Sequence, residues 1–343
     1  MYHYNFVFFS TPDNKYIVDK SSYNTICALE LEQSEEVELV TYPLDKQPKW
    51  VRKIYALHNS AKIEMRINLP FKRLWYPFYF QKKFPNDRPL CFVLLNHKLK
   101  IDYLKYLKKK YPTCKIVMLH RDFLRVSQRA NPELPFNPIL DLEMTYDEGD
   151  SLRYGFPHFS EFESKIDIDI CPEPESDVFF AGRAKDRLPV LMDAYHHLTS
   201  RGLKVYFFLT GVPEDKQENL PGIEYANRYM PYKEMLYHTV NTRCVLEVTQ
   251  SGQKGYTSRF LESVIYGKKI ISTSDYLQSS KFYSPDKVQI VQDMKDIDLD
   301  FITSGNSFVD YGYNGEFSPF RVLDRIDEEL QKKLFNEDSV IPI

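Results

Sequence analysis

Short apolar runs alternate with helical stretches along this chain, and the alternation happens twice. That pattern predicts an α/β protein with parallel sheets covered by helices. The 343 residues suffice for about two domains at roughly 150 residues each. Between the two rounds, a stretch with Pro172, Pro174 and several acids reads as an interdomain linker. The expectation is two tandem Rossmann-like, doubly wound domains facing across a cleft. They would span 1–170 and 171–319, with a C-terminal helix and tail over 320–343.

The first round begins with NFVFF (5–9), a β-rich run closed by Ser-Thr-Pro-Asp-Asn. Residues 21–32 read as a helix and 36–40 (EVELV) as a strand. Over 50–63, Trp50, Ile54, Leu57 and Ala61 recur every three to four residues, which predicts an amphipathic helix. LCFVLL (90–95) is a buried strand, 101–111 a helix and KIVML (115–119) another strand. The second round has strands at 177–181, 204–209, 244–248 and 269–272. Its helices fall at 187–200, 232–239 and 258–266, with a polar loop at 182–186. A last helix is expected at 320–334. No repeat of solenoid period occurs.

Composition narrows the function classes. At 43% hydrophobic and 27% charged, the chain is an ordinary globular protein. No apolar run approaches the ~20 residues of a membrane helix. The opening MYHYNFVFFSTPDNK has no basic n-region, so no signal peptide is expected. Five scattered cysteines, never spaced C-x-x-C, argue against a disulfide framework or a zinc site and fit a reducing cytoplasm. No metal is expected. The net charge of −3 hides an asymmetry: 46–110 holds 17 Lys and Arg against three acids, a local +14 that leaves −17 for the rest. Such a split describes what one face meets.

Chemistry concentrates in LEVTQSGQKGYTSRFLESVIYGKKIISTS (246–274). A strand ends at Val248, a loop carries Gly252 and Gly255, and a helix opens near Thr257. Glycines let backbone N–H groups approach an anion, and the helix N-terminus adds its dipole. Thr257 suits a cap, and Arg259 can bond a phosphate. Glu262 shares the helix face of Arg259 and can accept both hydroxyls of a ribose. Singly, these residues also fit a cap, a surface pair and a turn; as a set they point to a nucleotide. A second loop, FAGRAKDR (180–187), offers Gly182, Arg183, Lys185 and Arg187 to a diphosphate, or forms a solvated basic turn.

The series FFAGRAKDRLPVL, YFFLTG and MPYKEMLYHTVNTRCVLEVTQSGQKGYTSRFLESVIYGKKIISTSD resembles the C-terminal half of GT-B glycosyltransferases, over about 177–275. It is most similar to bacterial enzymes that build capsular, exopolysaccharide or lipopolysaccharide chains. The resemblance implies a nucleotide-sugar donor as substrate, with a UDP-sugar favoured, and no cofactor or metal. It implies contacts to donor phosphate and ribose from Gly182, Arg183, Arg259 and Glu262, with Gln250 and Thr257 near the diphosphate. The residues' own chemistry adds Lys185 from the basic loop and Gly255 from the glycine loop. The Glu-x7-Glu of many retaining members is not matched, because Lys254 stands eight residues before Glu262.

An inverting transfer needs a base in the first domain. Asp13, His97 and His120 each follow a predicted strand and are the candidates; a retaining transfer needs none. PFKRLWYPFYFQKKF (70–84) interleaves cations with aromatics. That pattern suits the headgroup level of an anionic membrane, and equally a core with a solvated basic rim. The expected partners are the donor, a glycan or polyprenyl-linked acceptor, and an anionic membrane surface through 46–110. Nucleic acid is not favoured. The expected location is cytoplasmic, peripheral on the inner face of the plasma membrane. Alternatives are a nucleotide-sugar epimerase of the same fold, or a non-catalytic nucleotide- or nucleic-acid-binding protein.

Overall fold

The computed structural model describes residues 1–10, 23–41, 44, 47–60, 70–95, 100–249 and 254–338. The chain divides into two compact units: Met1–Ser160 together with Ser318 onward, and Glu161–Phe317.

The first unit is built on β1 (Asn5–Phe9), β2 (Val37–Val40), β3 (Leu90–Leu95), β4 (Lys115–His120) and β5 (Leu142–Thr145). They form one parallel sheet in the order β2-β1-β3-β4-β5. All five residues of β1 are buried. A strand covered on both faces must be apolar throughout, which is why these segments read as unbroken runs. The Ile101–Lys110 helix buries Tyr103, Leu104 and Leu107, and puts three lysines in its last turn, where the helix dipole favours them. Its buried face packs with Val7, Phe9, Phe92, Leu94 and Met118.

Two predicted helices differ. In place of one helix over 21–32 there is a single turn, Tyr23–Ile26, then a 3-10 turn, Leu29–Gln33. Ile26, Cys27, Ala28 and Leu31 are all buried in this broken segment. The helix expected over 50–63 is Lys49–His58, and none of its residues is buried; residues 61–69 lie outside the described ones.

The division also differs from the expected boundaries at 170/171 and 319/320. Residues 161–175 are extended and strapped to the second unit: Ile166 N–H donates to the Tyr266 hydroxyl and Cys171 N–H to Asn241 Oδ1. The terminal helix, Pro319–Asp338, buries Val322, Leu323, Ile326 and Leu330 on one stripe. The Tyr2 hydroxyl donates to its Asp324, and the His3 ring lies 2.7 Å from its Asp327. It completes the first unit.

The second unit carries β6 (Ser176–Arg183), β7 (Val205–Thr210), β8 (Ile223–Ala226), β9 (Thr242–Glu247), β10 (Lys269–Ser272) and β11 (Val288–Ile290). The sheet is parallel in the order β11-β10-β9-β6-β7-β8. The polar loop expected at 182–186 begins later, because β6 keeps pairing with β7 through Gly182 and Arg183. Two doubly wound parallel-sheet units in succession are the domain make-up of a GT-B fold. Among the described residues no helix is long and apolar enough to cross a membrane. All five cysteines are free.

Candidate functional site

In an open parallel sheet, ligands bind beyond the carboxyl ends of the strands, where the strand order reverses. In the second unit that point lies between β6 and β9. The groups there come from the end of β6, the following 3-10 turn Lys185–Arg187, the end of β9 and the Ser258–Tyr266 helix.

The helix starts at this point for a local reason. The Thr257 hydroxyl accepts the Phe260 N–H as a cap and donates to the Glu247 carboxylate. Gly267 stops the helix in a left-handed conformation (φ 66°), and a Cβ there would stand 2.6 Å from the Val309 carbonyl oxygen. The first-turn N–H groups of Ser258 and Arg259 have no carbonyl partner within the helix.

Two guanidinium groups meet over one ring. Arg259 and Arg187 lie 5.5 and 5.9 Å from the centroid of Phe180. Arg259 donates to the Ala181 carbonyl, and Arg187 to the carbonyls of Val248 and Arg183. The Nε of Arg187 is buried without a partner. Burial, and then the charge of Arg259, pull Arg187 below the ordinary arginine range. Neither forms an ion pair among the described residues. Two like charges held together, with a donor unspent, are suited to an anion. Gly182 makes room for it: a Cβ would come 3.1 Å from Arg259 Nη2 and 3.3 Å from Phe180.

Two carboxylates lie beneath. Glu262, 1% exposed, accepts the Tyr232 hydroxyl at 2.8 Å. Burial pushes its carboxyl up to about 7, against the pull of Arg259. Glu247, equally buried, accepts from Thr257 and Ser272, and burial raises it too.

Of the residues singled out in the sequence, Gly182, Thr257, Arg259 and Glu262 converge here. Gly255 is buried in the turn before the cap. Arg183 is exposed and lies along Gly211, 3.1 Å from where a Cβ there would stand. Lys185 opens the 3-10 turn, and its side chain lies outside the described residues, as does Gln250. Sequence reasoning passed over Glu247, Phe180, Tyr232 and the inward role of Arg187. The visible signal was Glu247 itself, a carboxylate inside the apolar run CVLEV.

In the first unit the strand order reverses between β1 and β3. Asp13 and His97, which follow those strands in sequence, lie outside the described residues. His120 ends β4. It is wholly buried, 3.0 Å from Glu143 through Nε2, and its ring stacks on Phe156. Its Nδ1 is buried with no partner. Glu143 thus fixes the ring through one nitrogen and leaves the other, inside the unit, without a partner among the described residues. Among the described residues no group of three or more His, Cys, Asp and Glu is placed to hold a metal ion.

No protein-family model matches the chain, and no curated protein does. Solved structures do align with it. Trehalose-6-phosphate synthase OtsA aligns at TM-score 0.46 and 11% identity, over 99% of this chain and 100% of that one. A Listeria monocytogenes protein assigned as a UDP-N-acetylglucosamine 2-epimerase aligns at 0.46 and 8%, over 97% and 98%. An α-glucosyltransferase in complex with UDP and a 13-mer DNA aligns at 0.43 and 13%, over 95% and 94%.

The anion site makes a direct prediction. Arg259→Ala lowers affinity for a nucleoside diphosphate roughly 10- to 100-fold, the worth of a charge-assisted bond, and leaves affinity for the bare nucleoside unchanged. Calorimetry with both ligands checks this; equal losses for the two would remove Arg259 from the phosphate contact.

Proposed function

We propose that the protein is a GT-B glycosyltransferase. It moves a sugar from a nucleotide-diphosphate donor, held by the second unit, to a surface-polysaccharide or lipid-linked glycan acceptor bound by the first. One observation carries the reading: Arg187 and Arg259, with no ion pair among the described residues, gather over Phe180, beside a capped helix N-terminus, where the second sheet reverses its strand order. That is the equipment for a diphosphate.

As the glycosidic bond to the donor breaks, negative charge builds on the departing nucleoside diphosphate. Fixed guanidiniums and a helix dipole stabilise that charge without reorganising, so the transfer proceeds without a divalent cation. Glu262, with Oε1 held by Tyr232, offers its second oxygen to the ribose hydroxyls. In the first unit His120 takes the proton of the acceptor hydroxyl through Nδ1, while Glu143 orients the ring. The chemistry takes place on the cytoplasmic side of a membrane that presents the acceptor.

The test is release of nucleoside diphosphate from UDP-sugars, followed with and without a polyprenyl-linked acceptor in the presence of EDTA. Acceptor-dependent release is expected. Interconversion of the nucleotide sugar with no acceptor would replace this reading with an epimerase, and loss of activity with EDTA would refute the metal-independent mechanism.

A further inference from the structure

The Lys49–His58 helix is mounted with its apolar stripe outward. Trp50, Ile54 and Leu57, one face at helical spacing, are 66%, 50% and 63% exposed. Phe71 and Leu74 beside them are 75% and 70% exposed. The adjoining face, carrying Tyr55 and His58, is pinned to the unit by polar groups. The Tyr55 and Tyr79 hydroxyls are 3.0 Å apart, Trp75 Nε1 donates to His58 Nδ1 at 2.8 Å, and His58 Nε2 lies 2.8 Å from the Pro70 carbonyl oxygen. A surface helix normally buries its apolar stripe; this one is bonded in place the other way round. Phe71 adds a second sign. Its left-handed backbone (φ 64°) is strained for a bulky residue, and it holds the ring in solvent.

The border of this face is cationic. Lys49 and Lys53 are exposed, and Arg73 stands 75% exposed with only the half-exposed Asp102 at 3.1 Å. Neither 47–60 nor 70–84 contains an acid. A second copy of this chain is a poor occupant, because a two-fold contact would bring these cations against each other. Nucleic acid is poor too, since Ile54, Leu57 and Leu74 have no flat face on which a base stacks. An anionic bilayer matches both the apolar stripe and its rim.

We propose that this face docks the protein on an anionic membrane surface. Trp50, Ile54, Leu57, Phe71 and Leu74 enter the boundary between headgroups and acyl chains, and Lys49, Lys53 and Arg73 pair with lipid phosphates. The contact differs from the one 70–84 predicts in sequence. Tyr76 and Phe80 are buried in the core, and Lys82 is engaged by the Val37 carbonyl and Glu38. The inference stands on the first unit alone and holds whatever the second unit binds.

The test uses the full chain with phosphatidylcholine vesicles, plain or with about a third phosphatidylglycerol. The chain has two tryptophans; Trp75 stays in place because it holds His58, and subtracting the spectrum of Trp50→Phe isolates the emission of Trp50. Binding to the anionic vesicles is expected, with Trp50 emission shifting to the blue and quenched by brominated lipid. Ile54→Ser/Leu57→Ser and Lys49→Ala/Lys53→Ala should each weaken binding tenfold or more. Both pairs should leave nucleotide affinity unchanged, which keeps this result separate from the donor reading. Trp50 remaining in water on bound protein, equal binding to plain vesicles, a solution dimer broken by Ile54→Ser/Leu57→Ser, or displacement from vesicles by an oligonucleotide would each overturn the proposal.

Discussion

Glu262→Gln makes the protein more stable at pH 8 and weakens its hold on the nucleotide at least tenfold. Burial lifts the Glu262 carboxyl from 4.5 to about 7 in the folded state. Because the folded value is the higher one, its contribution is fully present below about 4.5, is lost as pH rises toward 7, and stays lost above. The wild-type penalty at pH 8 is on the order of 3 kcal/mol. Glutamine keeps the acceptor for Tyr232 and carries no charge, so it removes that penalty. The Tm of the unit should rise by roughly 5–10 °C at pH 8 and stay unchanged near pH 4. Calorimetric scans at the two pH values read this. Nucleotide affinity in the wild type should climb as Glu262 ionises through pH 7, and the variant should lack that climb. A buried carboxylate kept at the expense of stability is a candidate functional group. Unchanged affinity in Glu262→Gln would make it a packing residue.

His120→Ala lowers turnover by roughly 10²- to 10⁴-fold and leaves nucleotide affinity intact, because the base we propose belongs to the unit that does not hold the nucleotide. Glu143 does not touch the acceptor in this account; it holds the imidazole through Nε2. Glu143→Gln should therefore shift the pH profile of turnover and reduce it less than His120→Ala does. A merely structural His120 would show instead as a lower Tm with kcat preserved in the surviving folded fraction. Full activity in His120→Ala would place the transfer among those that need no base.

Much of this architecture is written in local sequence. The runs NFVFF, LCFVLL and CVLEV are apolar throughout because both faces of a parallel strand are covered, and the Ser258–Tyr266 helix announces itself by its Thr257 cap and its Gly267 stop. Arg259 and Glu262 were legible because spacing alone puts them on one helix face. Arg187 and Phe180 were not, since their meeting depends on β6 extending two residues further and on the turn after it. Periodicity marks 50–63 as an amphipathic helix but carries no information on which way the stripe turns. That was decided by Tyr55 and His58, whose partners Tyr79 and Trp75 are twenty-four and seventeen residues away. The terminal helix was legible as a helix, and its docking on Tyr2 and His3, at the far end of the chain, was not.

The central claim is a metal-independent diphosphate site in the second unit, and calorimetric titration with UDP, GDP, CMP and ADP, each with and without EDTA, tests it most directly. The account predicts saturable binding of one diphosphate at a single site, indifferent to EDTA and lost in Arg259→Ala. Binding of none of the four, binding abolished by EDTA, or undiminished binding by Arg259→Ala would contradict it.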